Sequence, residues 1–128
     1  MLLVVEDNPQ FSLALSRMLD RLGEKYEVVD TGEEAVHRVL SEGGEHYRLI
    51  LLDMTLPGIS GIDTARAIRA IDDPQKAEIP ILVMSALAPT IEEMGELHFA
   101  GILAKSFFGE DLRNAIERHA RPSHLSAA

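Results

Sequence analysis

Five side chains of this sequence could together handle a charged group: Glu6, Asp7, Asp53, Ser85 and Lys105. Each stands at the end of a short apolar run. Leu49 to Leu52 are four large apolar residues without alternation, the mark of a strand buried on both faces in a parallel sheet. That run stops on Asp53, and Pro57-Gly58 then turns the chain away. An ionisable group at the carboxyl end of a central strand sits where open α/β sheets hold their chemistry.

Three carboxylates brought together repel, and at neutral pH they stay ionised only if a cation neutralises them. All-oxygen donors with no His or Cys nearby suit Mg²⁺ or Mn²⁺ better than zinc. Ser85 and Lys105 add a hydroxyl and an ammonium on the same edge, a set that suits an incoming phosphoryl group. Asp53 would attack phosphorus while cation, hydroxyl and ammonium take up charge on the transferred oxygens. Each of these residues also has a plainer use. Glu6 and Asp7 can simply open a helix at its positive end, Ser85 can cap a turn, and Lys105 can face water. Asp53 tips the balance, because a buried strand has no structural use for a carboxylate at its end.

The elements that must position these residues alternate regularly. Leu2–Val5, Tyr26–Val29, Leu49–Asp53, Ile79–Met84 and Ile102–Ala104 read as strands. Asn8 can cap the first helix, with Pro9 at its first position and Gly23 beyond Leu22 as its stop. Ala14, Leu15, Met18, Leu19 and Leu22 form its inward stripe, and Phe11 lies off it. Phe11, near the crevice, then either contacts a partner helix or packs partly against the loop after the third strand. Further helices are predicted over Glu33–Ser41 (inward Ala35, Val36, Val39, Leu40), Ile62–Ile71, Thr90–Leu97 and Glu110–His119. Five strands alternating with five helices predict a three-layer α/β sandwich of flavodoxin-like (βα)5 type. Its parallel five-stranded sheet would take the order 2-1-3-4-5. In that order strands one and three are neighbours and deliver Glu6, Asp7 and Asp53 to one crevice.

The totals fit one domain over residues 1–120, with 121–128 a frayed tail. The chain has 128 residues, 46% hydrophobic, with no cysteine for disulfides or thiolate sites. No apolar run approaches the ~20 residues of a membrane span, and Glu6-Asp7 interrupts any signal-peptide core. A net charge of −9 argues against direct nucleic-acid binding, which neutralises phosphates with Lys and Arg.

Four segments, Val4-Val5-Glu6-Asp7-Asn8, Leu52 through Gly61, Met84-Ser85-Ala86 and Leu103-Ala104-Lys105, resemble the receiver domain of two-component response regulators. Phe99-Ala100-Gly101 is similar to receivers attached to hybrid histidine kinases. The resemblance spans residues 2–120, with all four motifs in order and spacing. It implies that Asp53 is the phosphoacceptor, charged from a phosphohistidine on a histidine kinase or histidine phosphotransfer protein. It implies Mg²⁺ (or Mn²⁺) on Asp7, Asp53 and the Thr55 carbonyl, with Glu6 acting through water, and Ser85 and Lys105 on the phosphoryl oxygens. Thr55 and Leu87 would tune how long the phosphoryl group survives. A cytoplasmic, bacterial signalling domain follows, one that catalyses only its own phosphorylation and dephosphorylation and acts on an unidentified downstream protein.

Three departures from the family pattern fall on the face of the fourth helix, fifth strand and last helix. Ile102 replaces the usual Tyr or Phe whose rotation reports phosphorylation. Ser106 replaces the proline after the lysine, so either a cis non-proline bond is kept at a cost of roughly 2.5–4 kcal/mol or the loop is reshaped. The stretch from Ser85 to Lys105 is about two residues short, by the family's spacing, and His98 stands where a helix-ending glycine is expected. The expectation is a domain that accepts phosphate yet signals without an aromatic switch.

Rival readings share parts of this pattern. A degenerate receiver would keep the fold and bind partners without phosphate, but all five crevice residues are present. A haloacid-dehalogenase-type phosphatase would need its nucleophile after the first strand, where Glu6-Asp7-Asn8-Pro9 stands. A flavin binder would need a hydroxyl- and glycine-rich loop there. The five histidines show no metal-ligand spacing.

Overall fold

The computed structural model describes residues 1–85, 91–105, 107 and 109–122. Strands β1 (Leu2–Val5), β2 (Tyr26–Val29), β3 (Leu49–Asp53), β4 (Ile81–Ser85) and β5 (Gly101–Ala104) form one parallel sheet in the order 2-1-3-4-5. The helices are α1 (Pro9–Arg21), α2 (Gly32–Leu40), α3 (Gly61–Arg69), α4 (Pro74–Ala77), α5 (Ile91–Leu97) and α6 (Gly109–His119).

Strand side chains alternate between two faces, and here both faces are dry. Leu3, Val5, Ile50, Leu52, Ile81 and Val83 pack with Ala35 and Val39 of α2, Ala65 and Ile68 of α3 and Leu97 of α5. Leu2, Val4, Leu49, Leu51, Leu82 and Met84 pack with Leu15 and Leu19 of α1 and Leu112 and Ile116 of α6. Each fully buried Leu or Ile contributes about 1.5–3 kcal/mol relative to exposure. That explains why the three central strands carry unbroken apolar runs and why the edge strand β2 can carry Glu27 and a half-exposed Val28.

Local signals work as the sequence suggests. The Asn8 side chain accepts the Gln10 and Phe11 N–H groups at 2.9 and 3.2 Å, and Pro9 opens α1. Thr31 and Ser60 cap α2 and α3 in the same way. His98 ends α5 at φ +53°, the left-handed position usually taken by glycine. The Phe99 N–H reaches back to the Met94 carbonyl at 3.3 Å, closing the helix end.

Several expectations need correcting. Ala14 is exposed rather than inward, and Leu40, in the last turn of α2, is 55% exposed. A 3₁₀ turn at Gly44–His46 and the one-turn helix α4 were not anticipated, so the fourth expected helix is α5. Arg121 does not begin a frayed tail. Its backbone N–H donates to the Arg48 carbonyl at 2.8 Å, and its guanidinium donates to the carbonyls of Gln75, Glu45 and Tyr47 at 2.9, 2.7 and 2.8 Å. Residues 123–128 of the expected tail, Leu87 and the Lys105–Ser106 bond lie outside the described residues.

Candidate functional site

Sheet register builds the site. Val5 is level with Leu52, and Asp53 with Met84, so Glu6 and Asp53 leave adjacent strands side by side. Ser85 is level with Ala104, and the Lys105 N–H donates to the Ser85 carbonyl at 3.2 Å. The four strand ends therefore open on one rim at the switch point between β1 and β3.

The side chains converge there. Glu6 and Asp53 are both 1% exposed, Asp7 is exposed, and one carboxylate oxygen from each lies within 4.8 Å of the others. The Lys105 Nζ stands 3.0 Å from Glu6 Oε1 and 3.2 Å from Asp53 Oδ2. Asp53 Oδ1 accepts the Thr55 N–H at 3.0 Å, and Glu6 Oε2 accepts the Asn8 N–H at 3.0 Å. Ser85 is buried beside them. Glu6, Asp7, Asp53 and Lys105 thus meet in one crevice, with Ser85 at the adjoining strand end and Thr55 touching Asp53 through its N–H.

Burial pushes the Glu6 carboxyl above its ordinary value, the Asn8 N–H and Lys105 oppose that, and Asp53 adds to it. Burial pulls the Lys105 ammonium down, but Glu6 and Asp53 together outweigh it, so its pKa stands above the ordinary lysine value. Glu6 Oε1 is buried against the Lys105 ammonium, which neutralises part of the cluster's charge. Three carboxylates with oxygens within 4.8 Å of one another, two of them sharing the Lys105 ammonium, fit a divalent cation or its water shell.

The backbone is shaped to admit this crevice. A Cβ on Gly61 would lie 2.6 Å from both the Asp53 carbonyl oxygen and the Met54 Cα, so α3 can start against the end of β3 only with glycine there. Gly61→Ala is expected to lower stability by about 1–3 kcal/mol through that overlap, read as a lower urea midpoint. A substitution without effect would show that α3 shifts freely.

Two neighbours of the site were not legible as such. Phe107 lies edge-on to Phe11, centroids 5.8 Å apart at 90°, and the Phe11 ring lies under Lys105 Nζ at 4.9 Å. Phe11 therefore packs within the domain. The only sequence signal for the pair is an aromatic residue two positions after the lysine.

A parallel sheet in this order, with carboxylates at the β1 and β3 ends and Ser and Lys at the β4 and β5 ends, defines a receiver, and the response regulator receiver domain profile matches residues 2–117. The chain belongs to that family, as a receiver domain of two-component systems. Among solved structures it is similar to the receiver domain of sensor histidine kinase PA1611 from Pseudomonas aeruginosa, described with a magnesium ion in its active site cleft. That likeness has a TM-score of 0.80 at 30% identity, covering 92% of this chain and 94% of that one. The two-component response regulator PhoP of Pseudomonas aeruginosa is 40% identical over 88 residues, 66% of this chain and 35% of PhoP. The transcriptional regulatory protein CpxR homolog of Haemophilus influenzae is 28% identical over 129 residues, 96% of this chain. The chain spans only about half of that relative, 53% of its length. Among the described residues no helix is long and apolar enough to cross a membrane.

Proposed function

We propose that this receiver is a phosphoacceptor: an Asp53 carboxylate oxygen attacks the phosphorus of a phosphohistidine on a histidine kinase or phosphotransfer protein. The P–N bond breaks, the imidazole leaves, and an aspartyl phosphate forms. The observation that carries this reading is the Lys105 ammonium set 3.2 Å from Asp53 and 3.0 Å from Glu6, with the Asp7 carboxylate completing the acidic cluster.

Lys105 and the Ser85 hydroxyl supply donors where the transferred oxygens gain charge, and the Thr55 N–H holds the acceptor carboxylate in line. Asp7 and Asp53, with the Thr55 carbonyl, would hold Mg²⁺ or Mn²⁺ directly, and Glu6 would hold its water. The cation, when bound, neutralises the carboxylates so that a phosphoryl group can approach. The magnesium described for the PA1611 receiver supports this assignment.

Catalysis is confined to the domain's own phosphorylation and dephosphorylation, carried out in the cytoplasm, and the output is protein contact. Ile102, 39% exposed on β5, is aliphatic, which supports signalling without an aromatic switch.

The test is intact-mass measurement of the protein with Mg²⁺ and phosphoramidate, then phosphotransfer from candidate histidine kinases, with Asp53→Ala as control. One phosphoryl mass, mapped to Asp53 and absent from the variant, is expected. An unmodified Asp53 under both donors would overturn the reading in favour of an interaction module independent of phosphate.

A further inference from the structure

The geometry points to Phe11 as a positioning residue for Lys105: its ring fences the ammonium into the corner of the crevice that receives the phosphoryl group. The inference rests on the reading of Lys105 given under Proposed function. Lys105 Nζ lies over the Phe11 ring, 4.9 Å from its centroid, while Glu6 Oε1 and Asp53 Oδ2 stand at 3.0 and 3.2 Å. The ammonium is thus held by two carboxylates and one aromatic face.

That third contact matters because the lysine side chain is 27% exposed and flexible along its stem. Without the ring, the ammonium can exchange between the crevice and water. A third carboxylate would hold it equally well, but would repel the incoming phosphoryl group. An aromatic face attracts the cation through its quadrupole and adds no net charge.

The ring is itself held from both sides. The Phe11 N–H is fixed by the Asn8 side chain at 3.2 Å, in the first turn of α1. Phe107 meets it edge-on at 5.8 Å, with its own N–H donating to the Ala104 carbonyl at 3.0 Å. Both rings pack against the core layer that α1 and α6 cover. The first turn of α1 and the turn leaving β5 are thus joined beside the phosphoryl-facing lysine.

Labelled wild type, Phe11→Leu and Phe11→Tyr would be compared by NMR, with thermal midpoints recorded for each. The Lys105 ε-methylene should be shifted upfield by the ring in wild type and in Phe11→Tyr, and return to an ordinary lysine position in Phe11→Leu. Charging of Asp53 by phosphoramidate should slow by about two- to fivefold in Phe11→Leu and recover in Phe11→Tyr. In a Lys105→Ala background, Phe11→Leu should slow charging no further, whereas a purely structural role would slow it again. Equal charging of Phe11→Leu and wild type, or full additivity with Lys105→Ala, would overturn the inference. If wild type takes up no phosphoryl group, the function reading fails, and the methylene shift alone decides whether the ring holds the ammonium.

Discussion

Adding Mg²⁺ to the wild-type protein is expected to raise its thermal midpoint by about 10 °C, and to leave that of Asp53→Ala nearly unmoved. A ligand that binds only the folded state stabilises it by about 2.7 kcal/mol at a hundred times its dissociation constant, which for a domain of this size is a shift of that order. The folded state has something to gain. Three carboxylates have oxygens within 4.8 Å of one another, and the Lys105 ammonium contacts two of them, both on residues that are 1% exposed. Unfolding disperses the carboxylates, so the binding free energy appears directly as stability. Removing the Asp53 carboxylate takes away a ligand and leaves Lys105 to Glu6. Asp7→Asn should give an intermediate response, since it leaves the Lys105 contacts intact. Equal magnesium shifts for wild type and Asp53→Ala would show that the cation binds elsewhere.

Arg121→Ala is expected to cost about 2–4 kcal/mol, with no direct effect on the acceptor crevice. The guanidinium gathers the carbonyls of Glu45 and Tyr47 from one segment and of Gln75 from another, both distant from it in sequence. The backbone at 121 also exchanges contacts with Arg48, whose Nε donates to the Arg121 carbonyl at 2.7 Å. Burial pulls the Arg121 guanidinium below its ordinary value, against the attraction of Glu78, so its hydrogen bonds already work against desolvation. Truncation leaves three carbonyls to find water in a half-closed space. Arg121→Lys should recover little, because one compact ammonium nitrogen cannot reach carbonyls that two separate guanidinium nitrogens serve. Urea unfolding of the three proteins measures this, and a change below about 0.5 kcal/mol would mean that the contacts are incidental.

What could be read from sequence and what could not divides along physical lines. Leu49–Leu52 and Leu2–Val5 were legible because a strand covered on both faces must be apolar at every position. That Glu6, Asp7, Asp53, Ser85 and Lys105 stand together was legible because each terminates such a run, and parallel strands put their ends on one rim. His98 was legible as the occupant of a helix-ending glycine's place, but that it keeps the left-handed φ of such a glycine shows only in the structure. Leu40 was not, because helical spacing assigns a face but not how far that face extends past the sheet. The one-turn helix at Pro74–Ala77 is too short to show a period. Arg121 and the Phe11–Phe107 pair depend on contacts between distant segments, for which a single sequence carries no local mark.

The strand order also has a consequence for synthesis. Once β3 has left the ribosome, β1 already has both of its neighbours, and growth of the sheet continues only from the far side of β3. Glu6, Asp7 and Asp53 therefore come into existence well before the lysine that balances them. A nascent half-domain would hold its acid groups without their basic counterpart, so their mutual repulsion goes unbalanced until β5 and its lysine arrive.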